Sequence, residues 1–260
     1  MQIKYKDIVL RDYRESDIDD EVRWNTADTA WGDWDAPWER EEQFQTFDEG
    51  AYRRRRLDWL AAKAPQGDAL RWSLEIDTAD GTHIGAAAAY LMTEDFRWRD
   101  HAPEEVPGPD TPVALGLDIM DSAYWSGGWG TKALTAWVGY WLDRGCRELY
   151  TQTWSGNTRM IGLAKKLGFV EHLRKPGIRQ VRGGVYDGLT FRLDAGRWEE
   201  LELYRSICQS QRASGSARPW RPTRPPWPTT PAGRWTSPAT TGTPAASTCR
   251  RRTGKRSTGA

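Results

Sequence analysis

A strand, a glycine turn and a helix follow one another between residues 113 and 142, and that order restricts the fold more than any other feature of the chain. Val113 to Met120 is an apolar, strand-like run. Tyr124-Trp125-Ser126-Gly127-Gly128-Trp129-Gly130-Thr131-Lys132 comes next. Leu134, Trp137, Val138, Trp141 and Leu142 then recur at i, i+3, i+4, i+7 and i+8, one face of a helix. Glycines let backbone N–H groups approach a ligand with no Cβ in the way. The helix starting there leaves its first N–H groups without intrahelical partners and carries partial positive charge at that end. Such a turn binds phosphate. A further strand, Arg147 to Thr153, follows the helix stop at Arg144-Gly145, so the unit is β-α-β with two parallel strands.

The spacing fits neither of two familiar phosphate loops. A dinucleotide fingerprint needs G-x-G-x-x-G with an acidic residue about 20 positions on, and a P-loop needs G-x-x-x-x-G-K-[ST]. Here Gly127, Gly128 and Gly130 give G-G-x-G, and Lys132 follows Thr131. Trp125-Ser126-Gly127-Gly128-Trp129-Gly130 does resemble the pyrophosphate motif of the GNAT acetyltransferases, [QR]-x-x-G-x-[GA], with Trp in the first slot. The leading pair Tyr124-Trp125 resembles the branch that includes the ribosomal-protein N-terminal acetyltransferases. A second stretch, Asn157-Thr158-Arg159-Met160 running into Lys166-Leu167-Gly168-Phe169, resembles the second GNAT motif, N-x-x-(M/A) followed by K-x-G-F. Two motifs in the right order are far more specific than either alone. The resemblance covers roughly residues 7 to 200.

Around that unit the chain reads as further strands and helices. Ile8 to Leu10 is a first strand, and Ser16 or Asp17 caps a short helix reaching about Trp24. Trp24 to Glu39 has no clean period and reads as a structured loop. Glu39 to about Lys63 is helical in composition, with Phe44, Phe47, Ala51, Leu57 and Leu60 as its inner face. Arg53 to Arg56 within it reads as a solvated face in preference to a phosphate contact. Leu70 to Asp77 and His83 to Leu91 are strands joined by a turn at Asp80-Gly81. Phe96 to Pro112 is a long polar loop. Asn157 to Leu167 is a helix with Met160, Ile161, Ala164 and Leu167 inward. Phe169 to Arg174 and Val185 to Leu193 close the domain around a hairpin at Arg182-Gly183-Gly184. The expected fold class is α/β: a mixed, mostly antiparallel sheet with flanking helices and a disordered C-terminal tail. That the two central parallel strands splay, with the pantetheine of acetyl-CoA in the gap, is implied by the resemblance and not by periodicity.

Charge divides the chain in two. Residues 206–260 hold ten Lys or Arg and no Asp or Glu, which leaves residues 1–205 with 27 basic and 36 acidic groups, a net of −9. The tail also holds eight of the fifteen prolines. It buries too little apolar surface to offset ordering entropy, so disorder is predicted. Its alphabet is also that of GC-rich DNA translated out of frame. A basic nucleic-acid arm is the less favoured reading, because the arginines are diffuse. No run of about 18 apolar residues is present, so no membrane span is expected. The first residues lack an apolar stretch, so no secretory signal is expected either. Three scattered cysteines, Cys146, Cys208 and Cys249, form neither a disulfide framework nor a zinc spacing, which fits a reducing cytoplasm.

The resemblance implies the chemistry: acetyl transfer from acetyl-CoA, as co-substrate, to a primary amine of a small molecule or a peptide N-terminus. The cofactor site would comprise Ile119, Met120, Trp125, Gly127, Gly128, Trp129, Gly130, Thr131 and Asn157. Backbone groups from Asp118 to Met120 would meet pantetheine, and the Met120 N–H would hold the developing oxyanion. Relatives often carry a Glu on the strand before the turn and a Tyr in the second motif. Those slots hold Ala114 and Ala164 here. Asp118 shares a strand face with Ala114 and could act as base through a water, or it is only a hydrogen-bonded polar group. Tyr186 and Asp187 are weaker candidates, and His83, His101 and His172 pair with no nucleophile. Trp31, Trp34 and Trp38 beside Asp33, Asp35 and Glu39 would suit a cationic acceptor, or the indoles pack the cap and the acids are solvated. The missing Glu and Tyr also motivate an alternative, a non-catalytic acyl-CoA-binding or sensing domain. Dimers are common in this superfamily, so the resemblance also admits a homodimer.

Overall fold

Strand alternation places Ile8 and Leu10 on one side of the sheet and Arg11 on the other, and the whole molecule is layered about that division. A computed structural model describes residues 1–63, 67–102 and 104–201. These residues lie within one compact unit, Met1–Trp220. The basic tail from residue 206 lies outside the described residues, as do the readings of it.

The strands are β1 (Gln2–Tyr5), β2 (Ile8–Arg11), β3 (Ser73–Thr78), β4 (His83–Met92), β5 (Trp98–Arg99), β6 (Val113–Ile119), β7 (Leu149–Trp154), β8 (Phe169–Val181) and β9 (Gly184–Leu193). The helices are α1 (Asp17–Thr26), α2 (Pro37–Gln45), α3 (Glu49–Ala62), α4 (Trp129–Asp143), α5 (Thr158–Lys166) and α6 (Ala195–Glu200). The sheet runs β1-β2-β3-β4-β6-β7-β9-β8, with β5 paired to β4. Among the described residues only β6 and β7 are parallel. The mixed, mostly antiparallel sheet is therefore as expected.

One face of the sheet is sealed by α4. Leu134, Trp137, Val138 and Trp141 are wholly buried against Ile8, Leu10, Leu91, Val113 and Leu115. At about 25 cal/mol per Å² and 150–250 Å² per ring, each buried indole contributes about 4–6 kcal/mol. Ala164 and Leu167 of α5 and Trp198 of α6 extend the same core. The other face is lightly covered, and α1 binds it through charge. Arg11 grips Asp17 with Nη1 and Nη2 at 2.6 and 2.7 Å, while its Nε reaches Asp77 at 2.5 Å. His83 bridges Glu75 on β3 and Asp20 on α1 at 3.1 and 3.3 Å.

Several boundaries differ from the sequence reading. β1 adds a hairpin partner to the first strand. The helical stretch after Glu39 is two helices, because Asp48 turns its side chain onto the Ala51 N–H at 2.9 Å and starts α3 anew. No residue of α3 is buried and Leu57 is 42% exposed, so the expected inner face does not exist. Arginines hold α3 instead: Arg53 pairs with Asp19 and Glu49, and Arg56 with Glu21 and the Tyr52 hydroxyl. Two members of the Arg53 to Arg56 run thus dock one helix on another. The strand before the glycine turn ends at Ile119, and β8 extends to Val181 where only Arg174 was expected.

Candidate active site

The parallel pair β6 and β7 keeps register only at Val113 with Leu149 and Ala114 with Tyr150. Beyond that point β6 stays with β4 as far as Ile119, and β7 stays with β9 as far as Trp154. The two strands have parted, leaving unpaired backbone facing a gap. The Val113 N–H donates to the Glu148 carbonyl on the β7 side, and the Met120 N–H donates to the Ile84 carbonyl on the β4 side, both at 2.9 Å. Alternation therefore puts the N–H groups of Leu117 and Ile119 on the parted edge. This corrects the expected oxyanion donor: the Met120 amide is spent on the sheet.

Past the gap the chain makes its glycine turn. Trp125 pins the turn to the end of β6 by donating Nε1–H to the Ile119 carbonyl at 2.7 Å. Gly128 caps α4 at φ +77°, in the left-handed region that an L side chain adopts only with strain. The first amide used by the helix is that of Lys132, which donates to the Gly128 carbonyl at 3.1 Å. Among the described residues, the amides of Trp129, Gly130 and Thr131 before it have no protein acceptor. These three unpaired donors sit at the positive end of the helix dipole, beside the parted strands. The Trp129 ring folds back over Gly127, and the Lys132 ammonium stacks on it at 4.2 Å while pairing with Asp7. No Asp or Glu occurs from Ser122 to Leu142.

The lightly covered face of β4 and β6 is carpeted with small residues. Ala86, Ala88 and Tyr90 stand opposite Asp118, Gly116 and Ala114. Ala88 is exposed although it lies in a central strand, and a Cβ on Gly116 would meet nothing within 4 Å. Tyr90 bounds this open floor. It donates its hydroxyl to Gln152 Oε1 at 2.7 Å, and Gln152 in turn donates to Thr190 Oγ1 and the Phe96 carbonyl at 2.9 Å each. Asp118 sits on the floor. Burial and the facing charge of Asp35 push its carboxyl up to about 8, with Arg40 pulling the other way. Among the described residues that carboxyl has no hydrogen-bond or ion-pair partner. Burial and Asp35 likewise push Tyr90 up to about 12.

A tryptophan-rich strap, residues 27–36, crosses from α1 to the far bank. Near α1, Asp28 accepts from the Ser122 N–H and Trp31 Nε1 donates to the Trp24 carbonyl. On the far side, the Trp34 carbonyl accepts from Trp154 Nε1 at 2.8 Å and Asn157 Nδ2 at 2.9 Å. The structure thereby revises the expected acceptor set. Trp31 is buried, with the Arg40 guanidinium on its face at 4.7 Å. Arg159 covers Trp34 at 4.4 Å, Arg179 covers Trp38 at 4.4 Å, and Asp33 pairs with Arg182. The chain's own arginines occupy the faces and the carboxylate that an incoming cation would need. Of that set only Asp35 faces the floor, held by Arg40 at 2.6 Å.

The other expected residues divide in the same way. The Asn157 side chain accepts from the Met160 N–H and donates to Trp34, so it caps α5 and anchors the strap, and the expected cofactor contact is not what holds it. Ala114 and Ala164 are wholly buried. Asp187 is engaged by Arg174 and the Gly177 N–H, and Tyr186 packs on Trp154. His101 stacks on Trp72, and His172 packs between Phe96 and Tyr150. Sequence reasoning passed over Tyr90, Gln152, Arg40 and Arg159. The Ala86-Ala87-Ala88-Ala89 run was a visible sign of an open floor; the two-strand reach from Tyr90 to Gln152 had no local sign.

Parted parallel strands ending on an amide-rich helix mouth form a slot for an extended, anionic ligand. The sequence profile of the acetyltransferase (GNAT) domain family matches residues 7–170. The chain belongs to the GNAT acetyltransferase family. No curated protein matches it in sequence. Solved structures share its fold. yncA of Salmonella typhimurium, with its cofactor acetyl-CoA, is 19% identical at a TM-score of 0.50, over 73% of this chain and 94% of that one. The ribosomal L7/L12 alpha-N-protein acetyltransferase RimL, in complex with coenzyme A, is 12% identical at 0.51, over 75% and 99%. A chimera of the spermidine N-acetyltransferase SpeG from Vibrio cholerae and hSSAT is 13% identical at 0.51, over 75% and 100%. This GNAT protein is accordingly an acetyl-CoA-dependent N-acetyltransferase. Among its described residues no helix is long and apolar enough to cross a membrane.

Proposed function

We propose that this acetyltransferase acylates a primary amine lying on the open floor of β4 and β6, with Asp118 as the general base. One observation carries the reading: a half-buried carboxyl without a protein partner, raised to about 8, stands on β6 beside the parted strands. An amine must shed a proton to attack a thioester, and a base titrating near neutrality both accepts and returns protons there. Bound acetyl-CoA would supply the electrophilic thioester carbonyl. The unpaired amides of Trp129, Gly130 and Thr131 would receive its diphosphate, with Gly128 giving clearance. The edge amides of Leu117 and Ile119 would orient the pantetheine arm and polarise the carbonyl. As the C–N bond forms and the C–S bond breaks, Asp118 would take one proton of the ammonium and the departing sulfur would take the second, leaving as thiol.

The acceptor class follows from charge. Asp118 and the Arg40-paired Asp35 face the floor, and the carboxylate form of Asp118 would attract an ammonium there. Spermidine and a ribosomal-protein amino terminus, acceptors of structurally similar proteins, bracket the range from small polyamine to peptide N-terminus. A cytoplasmic setting suits the buried free thiol of Cys146. The test is thiol release from acetyl-CoA over a panel of polyamines, aminoglycosides and short peptides. Turnover with at least one amine class is expected. Acetyl-CoA binding with no thiol release across the panel would favour the non-catalytic acyl-CoA-binding reading instead.

A further inference from the structure

Arg159 is the one residue near the glycine turn whose environment makes poor sense without a ligand. It lies in the first turn of α5, where a cation is opposed by the helix dipole and no acidic residue offsets it. It is exposed, and among the described residues its guanidinium has no carboxylate partner. Two indoles hold it: Trp125 at 4.2 Å and Trp34 at 4.4 Å from the guanidinium carbon. A cation–π contact uses no N–H donor in a hydrogen bond, so those of Arg159 remain available to an anion.

The clamp is also placed for a purpose. Trp125 is the residue that opens the turn and is pinned to Ile119, and Arg159 packs on its ring. Lys166 Nζ lies 3.5 Å from Thr131 Oγ1. Two side-chain cations, one on Trp125 and one by Thr131, therefore touch a segment that contains no acid from Ser122 to Leu142. Like charges gathered without an anion repel one another, and one phosphate would neutralise the arrangement.

We propose that Arg159, held between Trp34 and Trp125, binds a phosphate of coenzyme A. The inference rests on the acetyl-CoA reading above but assigns a residue which that reading does not need. Phosphate of the diphosphate and of the 3′ position would be recognised by the same chemistry, and the ligands chosen separate them.

The experiment is isothermal titration of the full chain, and of its Arg159→Gln and Arg159→Lys variants, with coenzyme A and with 3′-dephospho-coenzyme A at two salt concentrations. Arg159→Gln is expected to weaken coenzyme A binding by about tenfold to a hundredfold, the range of a charge-assisted hydrogen-bond pair. It is also expected to flatten the dependence of Kd on salt. Arg159→Lys keeps the charge and should retain part of the affinity. A loss seen equally with both ligands points to the diphosphate, and a loss seen only with coenzyme A to the 3′-phosphate. If wild type binds coenzyme A and Arg159→Gln binds it equally well with the same salt dependence, the inference is overturned and the acetyl-CoA reading stands. If Arg159→Gln loses affinity with an unchanged salt dependence, Arg159 is only a tether for the strap and the inference again fails. Absence of wild-type binding removes both.

Discussion

Replacing Asp118 by Asn leaves the floor of the cleft in shape and takes away its only carboxyl without a protein partner. With the carboxyl at about 8, roughly one molecule in ten carries Asp118 as carboxylate at pH 7 and nine in ten at pH 9. If that carboxylate is the base, kcat/KM rises roughly tenfold over this interval. Asp118→Asn should lower kcat/KM by about 10²- to 10⁴-fold and abolish the part of the rise due to the enzyme. Asp35→Asn is the sharper variant. Burial, the larger cause of the raised carboxyl, stays, but the variant removes the Asp35 charge that adds to it and frees Arg40, which lowers it, so the rising limb should move to lower pH. The acceptor amine titrates identically against every variant, so the displacement isolates the carboxyl. Stability has the matching sign. A carboxyl raised on folding holds a proton that the unfolded chain releases above about pH 4. Its contribution is therefore complete below that pH and is lost as pH climbs through about 8, so Asp118→Asn should gain on wild type across that window. The assay is thiol release against pH with the best amine of the panel, alongside denaturant melts. An Asn variant with wild-type rates, or an Asp35→Asn limb that does not move, refutes the reasoning.

Three further outcomes follow from the same geometry. A Cβ on Gly85 would lie 2.0 Å from the Asp118 carbonyl oxygen, so Gly85→Ala must push β4 from β6; a loss of about 1–3 kcal/mol in a denaturant melt is expected, and an unchanged midpoint would contradict the pairing. Gly116 faces open space, so Gly116→Val should fold normally and bind acetyl-CoA normally yet raise the acceptor KM by about tenfold or more; an unaltered KM would place the acceptor elsewhere. Cys146 is buried and its thiol is pushed up to about 11 by burial, so in a Cys208→Ser, Cys249→Ser background it should resist a thiol reagent until the protein unfolds, and fast native labelling would show that the α4 face is open.

Local pattern made the centre of this molecule legible. The apolar spacing from Leu134 to Leu142 gave α4, and the order of strand, glycines and helix gave the turn. Alternation from Ala114 to Asp118 put the carboxyl on the correct face. The parting of β6 and β7 came from family resemblance alone, since no periodicity encodes two strands that separate after two residue pairs. The split between α2 and α3 was hidden because the composition stays helical throughout, while the break depends on the cap at Asp48. The strap left two readings open for a different reason. Its acids and indoles look available in sequence because their partners, Arg159 for Trp34 and Arg182 for Asp33, lie more than 100 positions away. Long-range pairing of that kind leaves no short-range trace. The Met120 amide was lost to the sheet for a similar reason, since its acceptor belongs to β4.

The central claim is that the amides at the start of α4 hold the phosphates of acetyl-CoA. Titration calorimetry of acetyl-CoA against the wild-type chain and Gly128→Glu examines it most directly, with circular dichroism to confirm that the variant is folded and Gly128→Asn, tolerated at positive φ, as the backbone control. Saturable one-site binding to wild type and to Gly128→Asn, with none to folded Gly128→Glu, is the expected result. Binding by Gly128→Glu with wild-type affinity, or no binding by wild type, would contradict it.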